Sequence, residues 1–129
     1  MSPKPANHDP RLVLVRGAGD LASGVILRLV RTGFRVIALE VARPLAVRRT
    51  VSFSEAMYDG EAWVEGLGAR KASGPEACAP ILEAGEVALL EDPQGLCLDH
   101  FSPPALVDAI MAKRNLGTRI DQAPLVLAL

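Results

Sequence analysis

One feature limits the possible folds of this chain more than any other: a short, wholly apolar run that breaks on glycines and resumes at helical spacing. Leu12, Val13, Leu14 and Val15 form the run, Gly17-Ala18-Gly19 breaks it, and Leu21, Ala22, Val25, Ile26, Leu29 and Val30 then recur three and four residues apart. The first pattern is that of a buried strand and the second that of a helix with one apolar face, leaving Arg28 and Arg31 outside. Gly33 stands where a helix of this length would end. Residues 34–39 (Phe-Arg-Val-Ile-Ala-Leu) form a second strand-like stretch, closed by Glu40. Strand, helix and strand in about thirty residues make a βαβ unit, whose crossover favours one hand.

The remainder supports an α/β domain with a mostly parallel open sheet and flanking helices. Half of the 129 residues are hydrophobic, yet aromatics make up only 4%. The core is therefore aliphatic, which suits parallel strands covered on both faces. Residues 1–10 carry Pro3, Pro5 and Pro10 and read as a leader without a signal-peptide pattern, and residues 11–129 read as a single domain. Residues 51–58 suggest a helix, and Asp59-Gly60 a turn. Two short strands are expected around Gly66 and Gly68, and a helix from Pro75 to near Gly85. Residues 87–90 suggest a strand closed by Asp92-Pro93. Residues 105–111 fit a strand or a helix equally by pattern. The apolar residues 124–129 read as a buried strand, an unusual place to stop. That ending points to a fragment of a longer protein, or to a partner or second copy pairing along the edge.

Composition excludes some classes of function. Fourteen Lys and Arg balance fifteen Asp and Glu, a net charge of −1, so nothing electrostatic points to nucleic acid or an anionic membrane. No apolar run approaches the roughly 18 residues that span a bilayer. Cys78 and Cys97 lack CxxC or His-Cys spacing and read as reduced thiols of a cytoplasmic protein. His8 and His100 lie in no motif, and no Ser-His-Asp, HExxH or Walker lysine pattern occurs.

The glycine break fits G-x-G-x-x-G/A, with a strand before it and a helix after it. Gly17 permits the tight turn, Gly19 lets backbone amides approach a pyrophosphate, and Ala22 is small enough for the helix to pack on the strand. Ser23 belongs to the same loop-to-helix segment. Gly24, costly inside a helix, is expected where helix and sheet or ligand come very close. Glu40 stands where a carboxylate holds ribose hydroxyls, or else is a solvated strand end. Arg43 could instead read a 2′-phosphate, leaving NAD and NADP both open. Asp20 is either a cap or first-turn acid, or faces a ligand that is not a plain pyrophosphate. Arg43, Arg48 and Arg49 follow the second strand, where they could clamp phosphates. Lys113 and Asn115 form a second polar cluster before the last apolar run. Ser52 and Ser54 read as helix caps.

Three stretches together resemble a known family: residues 15–24 (Val-Arg-Gly-Ala-Gly-Asp-Leu-Ala-Ser-Gly), 43–56 (Arg-Pro-Leu-Ala-Val-Arg-Arg-Thr-Val-Ser-Phe-Ser-Glu-Ala) and 112–118 (Ala-Lys-Arg-Asn-Leu-Gly-Thr). The chain is similar to the accessory proteins of the selenium-dependent molybdenum hydroxylase system, related to xanthine dehydrogenase accessory factors. The resemblance implies a Rossmann-like domain in a bacterial cytoplasmic factor that helps to mature a molybdenum hydroxylase. Its partners would be a hydroxylase subunit and a nucleotide or the nucleotide-bearing molybdenum cofactor. Family members normally continue beyond the Ala-Pro-Leu-Val segment. Two other readings stand beside this one: an NAD(P)-dependent oxidoreductase, and a docking module that carries no ligand.

Overall fold

A computed structural model describes residues 9–44, 52–110, 118 and 122–129. The opening unit forms as the pattern requires. β1 (Leu12–Arg16) enters the glycine turn, α1 (Asp20–Arg31) leaves it, and β2 (Arg35–Glu40) returns beside β1 in parallel. Gly33 follows α1 with φ of +108°, a conformation that favours glycine and lets the chain turn into β2. A 3-10 turn (Phe53–Glu55) and α2 (Ala56–Asp59) occupy the expected helical stretch. β3 (Glu61–Val64) and β4 (Leu67–Lys71) form an antiparallel hairpin. Its turn, Glu65-Gly66, has φ of 48° and 83°, as a tight hairpin with right-handed strand twist needs.

A 3-10 turn at Pro75–Ala77 leads into α3 (Cys78–Glu83), and β5 (Val87–Glu91) follows. α4 (Leu98–Phe101) is a short helix that the apolar pattern does not announce. The ambiguous segment is a strand, β6 (Ala105–Asp108), and β7 (Leu125–Ala128) lies beside it. The order across the sheet is β3-β4-β5-β2-β1-β6-β7, parallel throughout except for the β3–β4 pair.

Strand side chains alternate between two apolar layers. Val13, Val15, Val36, Ala38, Val87 and Leu89 face Ala22 and Ile26 of α1 together with Phe53 and Met57. Leu12, Leu14, Ile37, Leu39, Ala88 and Leu90 face Cys78 and Leu82 of α3 and Leu98 and Phe101 of α4. Both faces of the central strands are thus covered, which is why those strands read as unbroken apolar runs. β7 departs from that expectation. It forms one edge of the sheet, and Leu125 and Leu127 are about half exposed, so this apolar run is not a buried strand. Its periodicity could not separate edge from interior, because both are equally apolar. Among the described residues, no helix is long and apolar enough to cross a membrane.

From β1 the chain moves to β2 on one side and only later reaches β6 on the other. The carboxyl ends of β1 and β6 therefore border the point where the winding reverses. In open α/β sheets, ligands gather in the crevice at such a point.

Candidate functional site

The glycine turn is built into this reversal point. Gly17 N–H donates to Leu39 O of β2 at 2.8 Å, and on the other side Ala109 N–H donates to Arg16 O at 2.9 Å. Gly17 has φ of +105°, and a Cβ there would stand 3.0 Å from Ala109 O and 3.2 Å from its carbonyl carbon. Only glycine fits between the two strand ends. Gly19 differs. It caps α1 from an extended backbone with φ of −72°, and a Cβ on it would meet nothing within 4 Å. Gly19 has no side chain with which to cap the helix, so the first-turn amides of α1, with the positive end of the helix dipole behind them, are not satisfied by the N-cap residue.

The peptide between the glycines is held on both sides. Ala18 N–H donates to Glu40 Oε1 at 2.7 Å, while the other carboxylate oxygen accepts Val41 N–H at 3.0 Å. Ala18 O accepts from Ser52 Oγ at 2.7 Å, Ser54 N–H at 2.9 Å and Ser23 Oγ at 3.1 Å. Ser23 Oγ in turn accepts Phe53 N–H at 2.9 Å. Since Ser52 spends its one hydroxyl proton on Ala18 O, Ser54 is the donor in the 2.6 Å contact between the two hydroxyls. Ser52 also caps the 3-10 turn by accepting Ser54 N–H, as its residue type suggests. The serines are all buried. They fix the turn's shape and tie residues 52–54 to it.

Below the turn, the Arg16 guanidinium is 1% exposed and donates to Thr118 Oγ1 at 2.6 Å and Pro93 O at 2.7 Å. Thr118 Oγ1 donates onward to Asp108 Oδ2 at 2.7 Å, and Asp108 stands opposite Arg16 in the β1–β6 register. A fully buried guanidinium is tolerable only with such partners. Here it joins the loops that follow β5 and β6. Asp92 supports the former: its carboxylate accepts Leu96 N–H and Cys97 N–H, each at 2.8 Å.

These contacts sort the residues singled out from sequence. Gly17, Gly19 and Glu40 meet at one place. Ala22 is buried at the helix–sheet contact, as its size suggests. Ser23 is buried too, and its hydroxyl serves the Ala18 and Phe53 peptides behind the turn. Asp20 occupies the first turn of α1, with Oδ1 shielded from solvent. Glu40 is not the solvated strand end. It is partly buried, and burial pushes its carboxyl above the usual range against the pull of its two amide donors. Arg43 is exposed just beyond it. For Gly24 the structure removes one of two expectations: it is exposed on α1, and a Cβ there would meet nothing within 4 Å, so it marks no close approach to the sheet. Arg48, Arg49, Lys113 and Asn115 lie outside the described residues.

Both cysteines are buried and free of disulfides. Burial, with Glu76 nearby, pushes the Cys78 thiol up to about 11. Burial and the adjacent Asp92 carboxylate raise Cys97 further. Neither is an activated nucleophile. Among the described residues, no group of three or more His, Cys, Asp or Glu side chains could hold a metal ion.

The chain is similar to the Uncharacterized protein YqeB of Escherichia coli (strain K12), with 49% identity over 125 residues. The match takes in 97% of this chain but 23% of the relative, so the chain spans about a quarter of the relative's length. No protein-family profile matches the chain. No solved structure matches it.

Proposed function

We propose that this chain is the nucleotide-holding part of an accessory factor that matures a molybdenum hydroxylase. Its ligand is a nucleotide, or the nucleotide-bearing molybdenum cofactor, seated with its phosphates on the turn at Gly17 and Gly19. The observation that carries the reading is the start of α1 at Gly19, an N-cap residue without a side chain, beside a turn whose shape is locked by Glu40 and the three serines. Backbone amides at the start of a helix suit phosphate oxygens. The residues present thus fit the phosphate portion of such a ligand. The hydroxylase assignment rests on the resemblance of residues 15–24, 43–56 and 112–118. Arg48 and Arg49 belong to it through the sequence alone.

Glu40 favours a second reading, an NAD(P)-dependent oxidoreductase. Its carboxylate ends β2 next to the turn and keeps an unused lone pair on each oxygen, enough to accept two ribose hydroxyls.

Calorimetric titration with NAD, NADP, ATP, CTP and molybdopterin cytosine dinucleotide tests both. The maturation reading expects binding of the cytosine dinucleotide or a nucleoside triphosphate, lost in Gly19→Trp. Binding of NAD(P) alone, weakened in Glu40→Ala, would transfer the assignment to the oxidoreductase. A folded chain silent toward all five defeats both.

A further inference from the structure

The two edges of the sheet differ in how they meet solvent. β3 closes one edge with charge: it carries Glu61, and Arg70 of β4 pairs with Glu61 and with Glu86, each at 2.8 Å. β7 closes the other within Ala123-Pro124-Leu125-Val126-Leu127-Ala128-Leu129, a stretch without a charge. Sheet edges are normally blunted by charges, bulges or a covering element. Here Leu125, Leu127 and Leu129 are 51%, 50% and 52% exposed.

The pairing of β7 with β6 fixes where its backbone groups point. Leu125 N–H donates to Pro104 O at 3.1 Å, and Leu129 N–H to Asp108 O at 2.9 Å. Backbone direction alternates along a strand, so the odd-numbered residues face β6. Val126 and Ala128 therefore turn their N–H and C=O toward the free edge. Side chains alternate as well. Leu125 and Leu127 are register partners of Ala105 and Val107, which belong to the apolar layer on the α1 side of the sheet. The exposed leucines share that side, Leu129 by the same alternation.

We infer that β7 pairs antiparallel with β7 of a second copy of this chain, about a two-fold axis at Leu127. Val126 then stands opposite the partner's Ala128, and Ala128 opposite the partner's Val126. Each of these pairs exchanges two hydrogen bonds, and they are the residues whose groups point outward. Leu127 meets the partner's Leu127, and Leu125 the partner's Leu129. Those are the pairs without hydrogen bonds, in which opposed side chains lie closest. An axis at Val126 fits less well, because it sets Pro124, which has no N–H, opposite Ala128. The two-fold stands perpendicular to the sheet, so both α1 layers fall on one side and the leucines join them. Three half-exposed leucines a side and two strand backbones bury on the order of 1,000 Å², the low end for specific interfaces. Dissociation at about 10–100 µM is therefore expected. The pairing does not depend on whether the turn binds phosphate.

Sedimentation velocity of the full chain, from about 1 to 500 µM, reads the dimer directly. Leu127→Lys sets two ammonium groups against each other on the axis and removes two buried leucines. It should weaken association at least about tenfold, with circular dichroism unchanged. Leu127→Cys gives a reading that needs no loss of pairing. Residues opposed without hydrogen bonds lie about 4.5 Å apart at Cα, within disulfide reach, so mild oxidation should cross-link this variant. Leu125→Cys, facing the partner's Leu129, should stay uncross-linked, as should the wild type with its two buried thiols. A chain still monomeric at the highest concentration overturns the proposal. So does a dimer indifferent to Leu127→Lys, or cross-linking of Leu125→Cys as fast as that of Leu127→Cys. Growth beyond the dimer overturns it too, because a two-fold contact closes at two copies.

Discussion

Replacing Gly17 with alanine isolates what the reversal point demands of the backbone. A side chain at φ of +105° is strained by about 1–3 kcal/mol. The new Cβ would also stand 3.0 Å from Ala109 O, a backbone atom fixed by the β1–β6 pairing, and overpacking of this kind costs about 1–3 kcal/mol. Together these give about 2–6 kcal/mol, set against a typical domain stability of about 5–15 kcal/mol. With a urea slope near ~2 kcal/mol per molar, the unfolding midpoint should fall by about 1–3 M. Gly19→Ala is the internal control. There φ is −72° and nothing lies within 4 Å, so lost cap preference and reduced unfolded-state entropy should cancel to within ~1 kcal/mol. Urea unfolding followed by circular dichroism, with unchanged slope, reads both variants. A Gly17→Ala midpoint equal to wild type, or a Gly19→Ala loss as large as that of Gly17→Ala, would refute the close-approach argument.

Arg16→Met keeps the buried stem but deletes the charged donors to Thr118 and Pro93, so stability should drop by about 3 kcal/mol or more, read as a lowered thermal midpoint. Arg16→Lys should not restore it, because one ammonium cannot span two fixed acceptors as the planar fork does. Cys78, held at about 11, and Cys97, raised further, should react with a thiol reagent at pH 8 only as fast as the chain unfolds. Rapid labelling of the native chain would contradict their burial. Glu40 binds its proton more tightly in the folded chain than at its ordinary value of 4.5. Its contribution to stability is therefore fully present below 4.5 and lost as pH rises through the raised value. Glu40→Gln should remove that part of the pH dependence in chemical denaturation. Identical slopes in the two proteins would mean that Glu40 is not the group responsible.

The central strands were legible because burial on both faces leaves them wholly apolar, and α1 because one apolar face repeats every turn. The glycine turn was legible because its backbone demands a residue type. Gly17 belongs to that class, and so does Gly33. Each apolar run also ends on a charge, namely Arg16, Glu40, Glu91 and Asp108. That signal was available, but no single run reveals its neighbour. Strand order, a long-range pairing property, is what sets Arg16 opposite Asp108 and Glu40 opposite Glu91. Likewise Ser52 and Ser54 could be read as caps, a local role, whereas their hold on Ala18 exists only once residues more than thirty apart in the chain are packed together. The exposed edge at β7 has the same origin. Local sequence specifies which segments are strands and which backbone positions need glycine, since those depend on each residue and its near neighbours. Which strand lies at the edge and which carboxylate meets which amide depend on contacts between distant segments, and tertiary packing alone decided them.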